Sequence, residues 1–235
     1  TDRVSFATSS AGVSVNISPQ LAKVLGGPVE TLVEIEGAIG SPQADRLVGD
    51  GNANELAGGG GDDTIKGKGG DDVLTGGAGD DVLFPGGGDD FVAGGANDPV
   101  TSSGAHGDLV SYEGDTLDPG RTFLDIGLYY FAPLNSPPYA LGVGDDELSG
   151  IESVRGLKNG RTHVQGDDGP NVIIGGANRD YLEGRGGNDL LYGLGNADSL
   201  FGDYAAGTNP SIFGDDYLDG GGPSGPGDGD RVHGN

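Results

Sequence analysis

Along two stretches of the chain a carboxylate or its amide recurs every nine residues: Asn54, Asp63, Asp72, Asp81 and Asp90 in the first, Asn171, Asp180, Asp189 and Asp198 in the second. Asp45 sets one more step before the first stretch, and Asp216 resumes the second after an interruption. Carboxylates repeated in this way could do two kinds of chemistry. They could pair as acid and base, as in glycoside hydrolysis, or they could supply hard oxygen ligands to a cation. The repetition argues for the second. A reaction centre needs one constellation of unlike groups, whereas each of these acids sits in the same local setting as the last. Acids stacked along one edge, Asp63 over Asp81 and Asp72 over Asp90, would repel unless neutralised. A divalent cation accepting about six to eight oxygens, from paired carboxylates and from carbonyls left open by glycine turns, resolves that repulsion. Calcium fits best, because magnesium demands a stricter octahedron and tends to keep its waters.

The element that positions these acids is the repeat itself. Residues 49–93 divide into nines, GDGNANELA, GGGGDDTIK, GKGGDDVLT, GGAGDDVLF and PGGGDDFVA; from 166 the pattern returns as GDDGPNVII, GGANRDYLE, GRGGNDLLY and GLGNADSLF. Glycine dominates slots 1, 2 and 4, the acid or amide fills slot 6, and an aliphatic residue fills slot 8 (Leu56, Ile65, Leu74, Leu83, Val92; Ile173, Leu182, Leu191, Leu200). Nine is no multiple of 3.6, and this density of glycine opposes helix. Slots 1–6 suit a tight turn that uses positive φ. Slots 7–9 suit a three-residue strand whose middle residue points inward. Two nines make one coil, so the expected fold is all-β, a flat right-handed parallel β-roll, or β-solenoid, with a thin core of slot-8 aliphatics. So thin a core buries little apolar area against the entropy of ordering the chain. The cations must supply the rest.

The segments before the arrays are also duplicated. Asp2-Arg3-Val4-Ser5-Phe6 echoes Asp108-Leu109-Val110-Ser111-Tyr112, the alternation at Val13, Val15 and Ile17 echoes Leu124, Ile126 and Leu128, and Ile35-Glu36 echoes Ile151-Glu152. We expect two tandem units, 1–101 (lead-in 1–39, repeats 40–101) and 102–235 (lead-in 102–156, repeats 157–235). In the second, residues 202–219 read as one turn with an insertion that rejoins at Asp216 and Leu218, and a last irregular turn ends with Asp230 and Val232.

Composition excludes other chemistries. The chain of 235 residues carries 12 Lys+Arg against 37 Asp+Glu, a net charge of −25, which disfavours nucleic acid and anionic membrane surfaces as partners. With no cysteine there is no disulfide, thiolate site or thiol nucleophile. No apolar run is long enough for a membrane span, and Thr1 is not followed by the basic and apolar regions that mark a signal peptide. The absence of methionine leads us to expect a processed chain or a piece of a larger protein. His106, His163 and His233 lie too far apart in sequence to suggest a zinc site. The Gly61–Lys68 stretch departs from a phosphate loop, and Gly193-x-Gly195-x-x-Asp198 from a dinucleotide fingerprint; both are by-products of the repeat. No nucleophile elbow occurs. The slot-5 acids Asp62, Asp71, Asp80 and Asp89 read as outward charges.

GGAGDDVLF and GGGGDDTIK match the pattern G-G-x-G-x-D-x-U-x of RTX, or hemolysin-type, calcium-binding repeats. The chain resembles that family, and its lead-ins resemble those of serralysin C-terminal domains and alginate epimerase R-modules. The resemblance implies several calcium ions between successive turns on each edge of the roll. Its side-chain ligands would be Asp45, Asp63, Asp72, Asp81, Asp90, Asp180, Asp189, Asp198 and Asp216. The turn residues Gly58, Gly60, Gly67, Gly69, Gly76, Ala78, Gly87, Gly175, Ala177, Gly184, Gly186, Gly193 and Gly195 would complete the sites. Asn54, Asn171 and Thr162 depart from the pattern, and their sites are expected to be weak or empty. The family further implies a secreted bacterial protein exported by type I secretion, unfolded in low cytosolic calcium and folded outside.

The resulting expectation is a non-catalytic, calcium-folded structural module whose partners are calcium ions and other domains of a parent protein. The alternative is a calcium-dependent adhesin or carbohydrate-binding module. That alternative calls for a regular outward ladder at slots 7 and 9, and Glu55, Val73, Phe91 with Ala57, Thr75, Ala93 do not form one. In the second array Val172, Ile174, Leu190 and Tyr192 would line an apolar face. We expect Phe123–Phe131, including Tyr129 and Tyr130, or the other copy, to cover it.

Overall fold

A strand built from slots 7–9 has one inward side chain, and the computed structural model shows where these residues go. It describes residues 2–18, 21–25, 27–96, 107–117, 119–128, 139–141, 145–203, 214–221 and 231–233. Leu56, Ile65, Leu74, Leu83 and Val92 are fully buried, as are Ile173, Leu182, Leu191 and Leu200. The described residues contain strands and no helix, so none is long and apolar enough to cross a membrane. The chain is an all-β parallel β-roll. It forms two units, Thr1–Val110 with Gly144–Ile151, and Ser111–Val143 with Glu152–Asn235.

In the first unit, alternate nonapeptides feed alternate sheets. Glu55–Gly60, Val73–Ala78 and Phe91–Ala96 pair in parallel, with Leu56 beside Leu74 and Leu74 beside Val92. Arg46–Val48, Thr64–Gly69 and Val82–Gly87 do the same, with Leu47 beside Ile65 and Ile65 beside Leu83. The segments ahead of the array join as coils of the same roll. Arg3–Ser5 pairs with Gly37–Ile39, which pairs with Glu55–Gly60, and Val13–Asn16 pairs with Arg46–Val48. Leu21–Val24 and Val29–Thr31 add two antiparallel strands outside Val13–Asn16. Beyond the array, Leu109–Ser111 and Asp145–Ser149 extend the two sheets, placing Val110 beside Leu83 and Leu148 beside Val92.

In the second unit, Leu124–Gly127, Thr162–Gln165, Tyr181–Arg185, Ser199–Asp203 and Arg231–His233 form one parallel series. Ser153–Arg155, Val172–Ile174, Leu190–Tyr192 and Tyr217–Asp219 form the other. After the insertion the chain rejoins where the spacing predicts, with Leu218 beside Leu191. Asp230 lies outside the described residues; Val232 pairs with Leu200 through its backbone.

The strands are longer than the three residues expected. In the first array they run six residues, through slots 7–9 and on into slots 1–3 of the next repeat. Gly77 shows why this is possible. Its φ is 130°, and the space of a Cβ there is taken by the backbone of Gly59 in the turn below, so glycine lets the left-handed turn residues stack as closely as the strand does.

Candidate metal centre

A slot-6 aspartate lies between a turn, whose amides need acceptors, and a strand, whose slot-8 residue anchors the core. The structure places these side chains inward of the turn, where Asp63, Asp72, Asp81, Asp189 and Asp198 are all at most 1% exposed. Each Oδ1 accepts the backbone N–H of the slot-6 residue in the turn beneath. Asp45 N–H donates to Asp63, Asp63 to Asp81, Asn54 to Asp72 and Asp72 to Asp90, at 2.7–2.8 Å and 18 residues apart. The second unit repeats the rung at 2.7–3.1 Å, from Thr162 to Asp180, Asp180 to Asp198, Asn171 to Asp189, and Asp189 to Asp216.

The rung engages one oxygen of each carboxylate. Oδ2 of Asp63, Asp72, Asp81, Asp189 and Asp216 is buried and has no hydrogen-bond partner among the described residues. These oxygens face the slot-1 glycine of their own turn. A Cβ on Gly76 would run into Asp81 Oδ2 and the Gly94 carbonyl oxygen; on Gly58, into Asp63 Oδ2 and the Gly76 carbonyl; on Gly67, into Asp72 Oδ2 and the Pro85 carbonyl. Gly175 faces Asp180 Oδ2 and the Gly193 carbonyl, and Gly193 faces Asp198 Oδ2 and the Gly220 carbonyl, in the same way, while Gly184 faces Asp189 Oδ2. A carboxylate oxygen and a carbonyl oxygen thus converge beside a missing side chain, turn after turn. A buried acceptor left unpaired is costly, and a hard cation is the ligand that two such oxygens suit. Among the described residues no three acidic or histidine side chains meet at one point. Any ion held here must therefore draw on backbone carbonyls as much as on side chains. The slot-3 residues Gly60, Gly69, Ala78 and Gly87 are paired across the ladder. Their counterparts Ala177, Gly186 and Gly195 donate their N–H groups to the turn beneath.

The first turns of each array differ. Asp45 is satisfied at both oxygens: Val13 N–H at 2.6 Å and the Ser41 hydroxyl at 2.9 Å reach Oδ1, and Ser41 N–H reaches Oδ2. Asp180 Oδ2 accepts Gly176 N–H at 2.6 Å. The Asn54 amide oxygen accepts Asp50 N–H at 2.7 Å, that of Asn171 accepts Asp167 N–H at 2.9 Å, and Thr162 Oγ1 accepts Leu157 N–H at 3.1 Å. The opening turns are closed by their own amides, and the idle oxygens belong to the turns that follow.

Two further rungs lie outside the nonapeptide pattern. Asp81 N–H donates to Asp108 Oδ1 at 2.9 Å, and Asp90 N–H to Asp146 Oδ1 at 3.0 Å, across 27 and 56 residues. The signal was present as acid, any residue, aliphatic, in Asp108-Leu109-Val110 and Asp146-Glu147-Leu148, without the glycines before it. The slot-5 acids lie outside this row, and they form a weaker one of their own: Asp80 N–H donates to Asp62 and Asp89 N–H to Asp71, at 3.1–3.2 Å.

The two described histidines lie apart from these acids. His163 Nδ1 lies 3.0 Å from Asp125 Oδ1, His233 stacks on Phe201, and His106 falls outside the described residues. Phe123 does not cover the apolar face. Phe123 sits 6.3 Å from the His163 ring, on the opposite sheet from Leu190 and Tyr192, because Leu124–Gly127 pairs with Thr162–Gln165. Val172 is buried by its own coil, Ile174, Leu190 and Tyr192 are half-buried, and Tyr192 meets Tyr217. Tyr129, Tyr130 and Phe131 lie outside the described residues.

Burial, opposed by the rung hydrogen bond and reinforced by neighbouring carboxylates, pushes Asp63 and Asp72 up to about 7, Asp81 to about 6 and Asp189 to about 8. Asp180 rises to about 6 through burial, and Asp216 is raised for the same reason. Raised folded-state values mean that the metal-free roll binds protons that the unfolded chain releases. That contribution to stability is complete below about pH 4, the unfolded value, and is lost as pH rises through 6 to 8. In chelator, denaturant midpoints should therefore rise as pH falls from 8 to 5. In calcium, which favours the ionised form, they should fall. A second expectation concerns the cradle. Gly76→Ala should abolish calcium-dependent stabilisation of its coil, whereas Gly87→Ala, where a Cβ meets nothing within 4 Å, should leave it intact, as read by calcium titration of each variant.

No curated protein sequence matches the chain. The profile of the RTX calcium-binding nonapeptide repeat matches it in four copies, over residues 39–74, 57–92 and 165–200, which carry the rungs of both arrays. These repeats bind calcium, several copies imply several ions, and both arrays of this chain are built of RTX calcium-binding nonapeptide repeats.

Proposed function

We propose that the chain is a non-catalytic structural module of a larger secreted bacterial protein, and that calcium binding is what folds it. The observation that carries this reading is the row of buried Oδ2 atoms without hydrogen-bond partners at Asp63, Asp72, Asp81, Asp189 and Asp216. In this reading these aspartates, with Asp90 and Asp198 in the same slot, are the side-chain ligands, and the slot-1 carbonyls beside them complete the oxygen sets. Asp45 and Asp180, satisfied by their own turns, contribute less. Two tandem units, 1–101 and 102–235, each carry one array. Bound calcium supplies charge neutralisation and holds adjacent turns together. Each site stabilises the folded state by RT ln(1+[L]/Kd), about 2.7 kcal/mol at a hundredfold excess of calcium. In a compartment poor in calcium the carboxylates repel and the thin core does not offset chain entropy. The chain then stays extended and exportable, and it folds outside.

Far-UV circular dichroism tests this. In chelator above pH 8, where the slot-6 carboxylates are ionised, the spectrum should be that of a largely unfolded chain, and calcium, but not magnesium, should produce a cooperative transition to β-structure. A fully formed roll in chelator, unchanged by calcium, would overturn the reading.

One observation favours a second reading, a carbohydrate-binding face. In the second unit Phe123, His163, Tyr181, Phe201 and His233 form a row of rings with centroids 4.8–6.3 Å apart. A groove of about 420 Å³ beside them is lined by Arg161, Arg179, Gln165 and Ser199. Rings in series with planar donors suit a saccharide chain. Glycan-array binding by the calcium-loaded protein, lost in Tyr181→Ala, would support it; no binding to any glycan would leave the structural reading alone.

A further inference from the structure

Both arrays carry a second departure that calcium does not explain. The turn with asparagine in slot 6 has aspartate in slot 2: Asp50 with Asn54, and Asp167 with Asn171. The turn stacked next on the same edge has a cation in slot 2, Lys68 in the turn of Asp72 and Arg185 in the turn of Asp189. Slot 2 is an unfavourable place for a long side chain. Its backbone is left-handed, with φ of 86° at Lys68 and 83° at Arg185, where neighbouring turns of the first array use Gly59, Gly77, Gly86 and Gly95. Leu194 shares slot 2 and a φ of 77°, but it is uncharged and belongs to the turn of Asp198, which stacks on an intact aspartate, Asp180. Positive charge in this slot accompanies asparagine in the turn beneath, in both arrays.

The geometry at Lys68 says what the charge does. Its ammonium donates to the Gly49 carbonyl at 2.6 Å. Gly49 is slot 1 of the Asn54 turn, and slot-1 carbonyls are the ones the repeat offers to a cation, although the carbonyl that converges on the Asn54 amide oxygen itself is that of Gly67. The amide oxygen of Asn54 already accepts Asp50 N–H, and its Nδ2 donates to the Glu36 carbonyl at 3.2 Å. This turn has an amide in place of its slot-6 carboxylate, the amide oxygen is already engaged, and a tethered positive charge reaches it. An ammonium is a compact cation with three donors, suited to carbonyl oxygens.

We propose that the Lys68 ammonium takes the place of a calcium ion at the Asn54 turn, and that Arg185 holds the same position over Asn171. Each array then opens on a turn closed by the chain's own cation. It needs no metal to form, and it offers a template on which the calcium-dependent turns stack. The inference rests on the calcium reading above and names the turns that take no ion.

The test compares the whole chain with three variants, Lys68→Gly, Lys68→Met and Asn54→Asp/Lys68→Gly. Ions are counted by equilibrium dialysis in saturating calcium, and stability is measured by denaturation in chelator at low pH, where the metal-free roll is most stable. Lys68→Gly relieves the left-handed backbone, so an idle ammonium would make this variant more stable than the parent. The proposal expects the opposite, an unfolding constant raised roughly tenfold in chelator, as for loss of a charge-assisted hydrogen bond. Lys68→Met, which keeps the stem and the backbone strain, should lose at least as much. Asn54→Asp/Lys68→Gly, which restores the repeat, should bind one calcium ion more than the parent. Unchanged or increased stability in both single variants, or an unchanged ion count in the double variant, overturns the proposal. A parent protein that binds no calcium would instead remove the reading beneath it, so the two failures are distinguishable.

Discussion

The roll is organised by one hydrogen bond repeated up both edges, from the backbone N–H of a slot-6 residue to the carboxylate of the slot-6 residue one coil further on. It does three things at once. It satisfies a turn amide that the strands cannot reach, it sets the 18-residue register that brings slot-8 aliphatics over one another, and it forces carboxylates into a buried row. The last effect is unfavourable on its own, since burial and mutual repulsion both disfavour the ionised form. The stack therefore forms well only with protons or metal ions on its second oxygens. Register and cation dependence are two results of the same contact.

Glycine follows from that contact. A slot-1 side chain would occupy the space where Oδ2 and a carbonyl converge, and a slot-2 side chain would force an ordinary residue into left-handed backbone. The density of glycine is thus a condition for turns to stack at strand distance around an oxygen-lined space, and it brings no looseness. The few residues that break the rule, Lys68 and Arg185 among them, stand out for that reason.

Most of this was legible in the sequence, because the repeat writes the contact down. The period, the inward slot 8, the stacking of Asp63 over Asp81 and the rejoining at Asp216 all follow from counting. Less visible was whatever the period did not mark. Asp108 and Asp146 continue the rows without the glycines that advertise a repeat. Strands ran on into slots 1–3 because stacked glycine turns can pair as strands do. Asp45 and Asp180 match the repeat as well as any aspartate, yet nearby amides satisfy them, a property of the turn's path that spacing alone does not encode. Phe123 lies on the sheet opposite the apolar face because its strand pairs by register, and the hydrophobicity of a segment says nothing about which sheet it will join.

The route of the chain through the first unit has a consequence for how it can be built. Its outermost strand on one side, Asp145–Ser149, follows the array only after the intervening segment 111–143, which belongs to the other unit. Residues 1–110 alone would leave Phe91–Ala96 as a bare edge, with the Asp90 amide lacking its acceptor. An exposed parallel edge is a template for unwanted pairing. The first array is sealed only once residues 145–149, which lie beyond the segment 111–143, have docked on it, so completing the first unit requires chain from well past its own array.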